Sequence, residues 1–354
     1  MKKIIIGLCL VGLCVTSNYV IAQQVHLDRT VTSLTTPETV SVTWDNFVRA
    51  ETDKMMNSYA SIGAFGKFYH IRAVTPIDEQ KVIRMNRDTR YSMGVFDLTN
   101  PVTITLPDAG TRFMSMAIIN QDQYVKSVEY GQGDYKYTRE SVGTRYLCII
   151  MRTLVDGDDK KDNKIVTDLQ NNIKVKQTSS GKYEIPNWDK ESQDKMRDAI
   201  NVLASTLTST KMCFGDVDEV DEIAHLLGAA YGWGGNPAYA AMYFNVVPEK
   251  NDGQTPYVLT VKDNVPIDAD GFWSISMYNE KGFFEQNKYN AYTVNGVSGK
   301  KDKNGTITIH FGGDPGQSNF LPITKGWNYI LRAYKPHKEI INGTWKFPDP
   351  VIAN

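Results

Sequence analysis

The side chains with the clearest potential for chemistry lie in one short stretch, from Arg84 to Leu98. Arginines, two aspartates and an asparagine are concentrated there between apolar residues. Such groups need hydrogen-bonding or charged partners wherever they approach a core. The stretch therefore predicts either a buried polar network or the floor of a binding site.

Four residues of this stretch are candidates for catalysis, namely Arg87, Asp88, Tyr91 and Asp97. Arg87 can form a bidentate ion pair with groups on neighbouring strands. Asp88 and Asp97 would form a carboxylate pair if the chain folded back between them, and such pairs supply the acid and base of glycoside hydrolysis. In that case Asp88 or Asp97 acts as acid or base, assisted by Arg87 and Tyr91. The competing interpretation is an ionic network that locks this part of the chain to the helix before it.

A second candidate site is aromatic and lies in the C-terminal part of the chain. Sugar rings stack their apolar faces on aromatic side chains while amides bind their hydroxyls. The alternative is that Tyr and Trp at strand positions are ordinary core and sheet residues. The predicted ligand-binding residues are Trp273, Tyr278, Asn290, Tyr292, His310 and Asn319.

Metal and cofactor chemistry finds no support in the motifs. The sequence has no G-x-S-x-G, H-E-x-x-H, C-x-x-C or phosphate-binding glycine loop. The five histidines are isolated and lack metal-ligand spacing, so we predict no metal and no cofactor. His70 and His310 fit core or rim positions better than a general base, because neither has an identified orienting carboxylate. Cys148 and Cys213 leave two alternatives open, a disulfide or buried free thiols.

The first 22 residues have the composition of a secretory signal peptide. Two lysines precede an apolar run from Ile4 to Val15, and the small-residue exit ends at Ala22. A run of about a dozen residues is too short to span a bilayer, which needs roughly twenty. We expect an exported protein, periplasmic or secreted, that starts at Gln23 and does not insert into the membrane. A formal net charge of −1, without a basic face, argues against nucleic-acid binding.

Hydrophobic periodicity divides the rest of the chain into four parts. Residues 42–59 predict a helix, residues 74–175 predict short strands with Gly, Pro and Asp turns, residues 187–231 predict two helices, and strands resume after Met242. Asn304-Gly305 predicts a type I′ hairpin. The predicted fold is mainly β with helices (α+β), with two antiparallel β-sandwich or jelly-roll-like lobes joined by a helical segment. The expected boundaries are 1–22 signal peptide, 23–180 helix plus first β lobe, 181–240 helical linker and 241–354 second β lobe.

Two groups of motifs resemble known families. Asn86 to Ser92, followed by Val95 to Leu98, resembles the signature of domain of unknown function 1254. Gly271 to Tyr278 and Gly343 to Pro348, with shorter motifs between residues 243 and 322, resemble domain of unknown function 1214. The resemblance implies two jelly-roll-like lobes joined by helices, in exported or envelope-associated proteins without an agreed activity.

Function follows from these features only as a class. We predict binding or processing of an envelope-associated glycan or a similar small-molecule ligand. The alternative is a structural or assembly subunit without catalysis, in which the lobes associate into a homo-oligomer, as jelly rolls often do.

Overall fold

The structure is a computed structural model that describes residues 38–80 and 83–353. The predicted signal peptide lies outside these residues. The described part of the chain contains helices, a π-helical turn at Ala60–Ala64, and strands that outnumber the helices three to one. The helices are α1 Phe47–Tyr59, α2 Arg139–Val142, α3 Lys160–Asn171, α4 Lys190–Ala204, α5 Glu222–Gly232 and α6 Lys338–Ile341. The strands are β1 Thr39–Val40, β2 Phe68–His70, β3 Thr89–Asp97, β4 Val102–Leu106, β5 Met114–Asn120, β6 Val125–Tyr130, β7 Gly133–Tyr137, β8 Tyr146–Leu154, β9 Lys174–Gln177, β10 Asn187–Trp188, β11 Ala241–Val246, β12 Tyr257–Val261, β13 Ile267–Tyr278, β14 Thr293–Asn295, β15 Ile307–Phe311, β16 Phe320–Leu321, β17 Asn328–Pro336 and β18 Val351–Ile352.

The first lobe is a sandwich of two antiparallel sheets. One sheet has the order β2-β3-β8-β5-β6 and the other β7-β4-β9. In β4, Val102, Ile104 and Leu106 are buried and the threonines between them are partly exposed, as expected for a strand that covers the core with one face. Every residue of β8 is buried, because its sheet is covered on both faces, by the second sheet on one side and by helices on the other.

The second lobe is also a sandwich of two sheets, antiparallel except for the parallel pair β15–β16. Its sheets have the orders β11-β17-β13-β14 and β16-β15-β12-β18. Alternate residues of β13 and β17 point into the sandwich core, among them Trp273, Ile275 and Leu331. The residues between them, including Ser274, Ser276 and Arg332, are also buried, because the opposite face of this sheet packs against the first lobe.

Helices α1, α4 and α5 pack on one another around Phe47, Ile200 and Leu227. This helical layer covers the outer face of the five-stranded sheet. The fold class predicted from the sequence, mainly β with antiparallel sandwich lobes and a helical segment between them, is confirmed. Among the residues that the structure describes, no helix is both long and apolar enough to cross a membrane.

Two local predictions were wrong. The Asn304-Gly305 turn does not join two paired strands, because β14 pairs with β13 and β15 pairs with β12 and β16. Only Gly305 of this dipeptide has a positive φ, 79°, so the turn is not type I′. The second helix predicted within residues 187–231 is shorter than its apolar pattern, which extended back to Val217. Its first residue is Glu222, because the side chain of Asp221 accepts hydrogen bonds from the backbone N–H groups of Ile223 and Ala224 and caps the helix there.

Candidate functional site

The chain from Arg84 to Asp88 crosses from one lobe to the other. Its backbone lies on the β13–β17 face of the second lobe, where the Tyr278 hydroxyl donates to the Met85 carbonyl at 2.8 Å and Arg332 donates to the Arg84 carbonyl at 2.8 Å. At Thr89 the same segment enters β3 of the first lobe. Residues 84–88 are therefore held at the junction of the two lobes.

Asp88 is buried at this junction, with 1% of its surface exposed. Its Oδ1 accepts hydrogen bonds from Thr293 Oγ1 at 2.9 Å and Asn295 Nδ2 at 3.2 Å, both on β14 of the second lobe. Its backbone carbonyl accepts from the N–H of Val155 in the first lobe. Oδ2 is closed to solvent and has no hydrogen-bond partner among the described residues. A buried carboxylate oxygen without a donor is costly.

Asp88 lines a cavity of about 260 Å³ between the lobes. Arg87, Asn290, Tyr292 and Ser298 line the same cavity. A larger cavity of about 730 Å³ adjoins it. The two cavities share Val155, Asp156, Asn295 and Ser298 as lining residues, and we call them together the interlobe cleft.

Arg87 reaches across the smaller cavity to the second lobe. Its Cζ lies 5.0 Å from the ring centroid of Tyr292, a cation–π contact, and its Nη1 donates to the Thr75 carbonyl. Burial lowers the pKa of Arg87, although Tyr292, Asp158 and Asp88 act in the opposite direction. Arg87 forms no ion pair among the described residues. The predicted bidentate ion pair is therefore absent there, because the side chain is directed to an aromatic face and a carbonyl.

Asp97 lies at the far end of β3, roughly 30 Å from Asp88 at the rise of an extended strand. The strand is continuous from Thr89 to Asp97, so the chain does not fold back and the predicted carboxylate pair does not form. Asp97 instead accepts hydrogen bonds from Arg145 at 2.9 Å and from the Thr99 hydroxyl at 2.6 Å. Burial raises its pKa, but these hydrogen bonds outweigh burial and hold the pKa at about 2. This environment is that of a structural turn and ion pair.

Tyr91 points to another buried group of the junction. The Cζ of Arg152 lies 5.5 Å from the Tyr91 ring, and Arg152 donates to Asn236 Oδ1 and the Gly234 carbonyl, both at 3.0 Å. Tyr91 lines neither cavity of the interlobe cleft. Its position supports packing between β3 and the helical segment rather than contact with a ligand in that cleft.

The six aromatic and amide residues predicted to bind a ligand do not form one surface. Asn290 and Tyr292 line the interlobe cleft. Trp273 lies on the inward face of β13 in the sandwich core, so neither ring face is open for stacking. Tyr278 is fully buried and receives a hydrogen bond from Arg332 at 2.8 Å.

His310 and Asn319 lie elsewhere, at a separate cavity of about 400 Å³ on the outer sheet of the second lobe. His310 Nδ1 is 2.8 Å from the Ser318 carbonyl. Asn319 bonds to the backbones of Lys300 and Thr308. Both side chains are thus engaged in holding a loop against the sheet.

Several cleft residues were not predicted from the sequence. Thr293, Asn295 and Ser298 lie near Asp88 only because β14 pairs with β13. Asp156 and Asp158 also line the cleft, and Asp158 accepts a hydrogen bond from Asn290 at 2.8 Å. Among residues 38–80 and 83–353, no cluster of three or more His, Cys, Asp or Glu side chains could hold a metal ion.

The two cysteines of the described chain are free and buried. Cys148 lies in β8, where burial raises the pKa of its thiol, and Cys213 lies beside the helical layer. Of the two alternatives left open by the sequence, the structure contains buried free thiols.

Fold and site together define a two-lobed β-sandwich protein with a polar cleft where the lobes meet. Residues 65–177 match the family described as protein of unknown function (DUF1254), and residues 238–338 match protein of unknown function (DUF1214). The two matches lie in the N-terminal and C-terminal halves of the chain, where the motifs indicated a resemblance to these families.

Two solved structures of bacterial proteins match the chain. The VPA0106 protein from Vibrio parahaemolyticus is 16% identical, with a TM-score of 0.63 over 88% of this chain and 98% of that chain. An uncharacterised protein from Burkholderia cenocepacia is 13% identical, with a TM-score of 0.46 over 82% of this chain and 83% of that chain. The first likeness shows the fold alone. No curated protein matches the chain.

Proposed function

We propose that the interlobe cleft binds a small hydroxyl-rich ligand, with a saccharide of the cell envelope as the best candidate. The observation that carries this proposal is Asp88, a buried carboxylate that lines the smaller cavity, with Oδ1 held by two donors and Oδ2 by none among the described residues. An ionised carboxylate only accepts hydrogen bonds. Its remaining acceptor capacity fits a donor such as a ligand hydroxyl.

The chemistry of the rest of the cleft fits such a ligand. Asn290 and Ser298 line the cavity with an amide and a hydroxyl group, which both donate and accept hydrogen bonds, as a sugar hydroxyl does. The smaller cavity, about 260 Å³, lies just below the usual range of roughly 300 to 1,000 Å³ for small-molecule sites. It suits one sugar unit, and the adjoining 730 Å³ has room for further units of a chain.

Binding is better supported than hydrolysis. Glycoside hydrolysis ordinarily needs two carboxyl groups within roughly 5 to 9.5 Å of each other, and the pair expected from the sequence, Asp88 and Asp97, is separated by the length of β3. The other carboxylates of the smaller cavity accept hydrogen bonds within the protein, Asp158 from Asn290 and Asp156 from the backbone of Asp158. Arg87 and Tyr292 hold each other by a cation–π contact at one wall of the cavity. Because these side chains are already held in place, binding a ligand against them costs little conformational entropy.

The test is a glycan array followed by calorimetry on the best hit, with wild type, Asp88→Asn and Asp198→Asn. Asp198 is an exposed residue of α4 outside the cleft. Asp198→Asn therefore serves as the control, because it makes the same change of charge without altering the cleft. We expect Asp88→Asn to weaken binding by at least about tenfold, the loss of one charge-assisted hydrogen bond, and Asp198→Asn to bind as wild type does. Equal affinities of all three proteins would refute the role of Asp88, and no bound glycan would refute the proposed ligand class.

We further propose that residues 1–22 are a signal peptide and that the mature protein is exported, with the lobe boundaries expected above. The support is the basic, apolar and small-residue succession of the sequence. Intact-mass measurement on protein expressed with its full sequence in a secreting host tests this. A mass that includes residues 1–22 would contradict it.

Assembly into a homo-oligomer is a second candidate function, favoured by one observation. Large apolar side chains are exposed between the end of α4 and the start of α5, namely Val202 at 71%, Leu203 at 60%, Val217 at 62% and Ile223 at 70%. Exposed apolar patches commonly mark association surfaces. Light scattering would show an oligomer that Ile223→Glu converts to monomer. The substitution should not disturb the helix, because an acidic residue is favourable in the first turn of α5. A wild-type protein that stays monomeric at high concentration would refute assembly.

A further inference from the structure

A separate cavity of about 500 Å³ lies on the helical side of the second lobe. It is bounded by the chain after α4, the end of α5 and strand β11, and we call it the helix-side pocket. Its apolar walls include Leu207, Phe214, Tyr231, Phe244 and Ile330. The pocket shares no lining residue with the interlobe cleft. Its size and composition are those of a small-molecule site, apolar with a few polar groups.

Among the described residues that line this pocket, Arg84 alone has a charged side chain. Its Nη1 donates to Asn245 Oδ1 at 2.8 Å. Its Nε is buried without a hydrogen-bond partner among the described residues, and no carboxylate among them pairs with Arg84. A guanidinium has five N–H donors in a fixed planar arrangement, so most of its binding capacity is unused. On its other side Arg84 borders a polar depression in which acidic and basic residues balance.

The backbone holds Arg84 in an uncommon conformation. Its φ is 56°, in the left-handed region that non-glycine residues rarely adopt. Its N–H donates to the Gly282 carbonyl at 2.7 Å, and its carbonyl accepts from Arg332 at 2.8 Å. Both backbone groups are thus bound to the second lobe, which determines the direction in which the guanidinium leaves the chain. Strained residues held in this way often belong to functional sites.

We propose that the helix-side pocket binds an organic carboxylate with an apolar body, such as a medium-chain fatty acid. The carboxylate lies against the guanidinium of Arg84, whose Nη2 forms no hydrogen bond among the described residues. The hydrocarbon chain lies along Tyr231, Phe214 and Leu207. A planar guanidinium recognises a carboxylate by two parallel hydrogen bonds. A neutral ligand of equal shape lacks the charge that makes these bonds strong.

Calorimetry with octanoate and octanamide tests this proposal, because the two probes differ in charge but not in chain length. We expect wild-type protein to bind octanoate at least about tenfold more tightly than octanamide, which corresponds to about 1.4 kcal/mol. Arg84→Gln should lose this preference. Arg139→Gln, a change at an exposed arginine of α2 outside the pocket, should keep it. Tyr231→Ala should weaken both probes, because it removes part of the apolar wall.

The outcomes that overturn the proposal are distinct. Equal affinity of wild type for octanoate and octanamide would show that Arg84 does not bind the carboxylate. An unchanged preference of Arg84→Gln for octanoate would show the same. Absence of octanoate binding at millimolar concentration would remove the site altogether. Melting curves of every variant accompany the titrations. If Arg84→Gln is unfolded, Asn245→Ala replaces it, since this change frees Nη1 and should tighten octanoate binding; unchanged or weaker binding would contradict the proposal.

Discussion

Replacing Asp88 by Asn tests whether this residue serves a ligand or the fold. The substitution keeps the shape of the side chain and removes its charge. Two hydrogen bonds, from Thr293 and Asn295, lose their charge assistance, a loss of the order of 1 kcal/mol each at most. The charge on Oδ2, which is buried without a donor among the described residues, disappears at the same time, and its removal offsets that loss.

We therefore expect a small change in the free energy of unfolding, about 1 kcal/mol or less. For a chain of this size the melting temperature then moves by roughly 2 to 4 °C. Differential scanning calorimetry of wild type, Asp88→Asn and the surface control Asp198→Asn measures it. A member of a buried ionic network would instead cost about 3 to 5 kcal/mol when removed. A fall in melting temperature that corresponds to such a loss of free energy would refute our reasoning and make Asp88 a structural residue.

Three further predictions concern stability and accessibility. The pKa of Asp97 is held at about 2, below its ordinary value near 3.8. Its ion pair with Arg145 therefore contributes up to about 2 kcal/mol to the free energy of unfolding above about pH 4, and this contribution is lost as the pH falls towards 2. In urea titrations the unfolding free energies of wild type and Asp97→Asn should converge in acid, and a difference that stays constant with pH would contradict the assignment. Limited proteolysis should cut the exposed residues 300–304 first. An early cut between Phe272 and Tyr278 would contradict the burial of that part of β13. A reducing agent should leave the melting temperature unchanged because Cys148 and Cys213 are free thiols, whereas a disulfide, typically worth 2 to 4 kcal/mol, would make it fall.

Local periodicity was sufficient to predict the fold class. The alternation of β4 and the continuous apolar run of β8 identify a strand with one covered face and a strand with two. The helical period between residues 187 and 231 identifies α4 and α5. Each of these signals depends only on side chains a few positions apart, which is why the sequence alone carries it.

Strand pairing could not be predicted in the same way. Asn304-Gly305 marks a turn correctly, but whether the flanking strands pair with each other depends on the whole sandwich, and here β14 joins β13 in the other sheet. The start of α5 at Glu222 likewise depends on the N-cap at Asp221. The apolar pattern of the sequence extends further back, to Val217, and does not show where the helix begins.

The candidate site shows the same division most clearly. The sequence by itself determined that Arg87 and Asp88 need polar partners, because burying such groups unpaired is costly. Which partners they meet was decided by the tertiary structure, since Thr293 and Asn295 are more than two hundred residues away along the chain. Asp97 is only nine positions from Asp88 but lies much farther from it in space, because an extended β-strand runs between them. Packing of the two lobes has the opposite effect, since it brings together residues that are distant in the sequence.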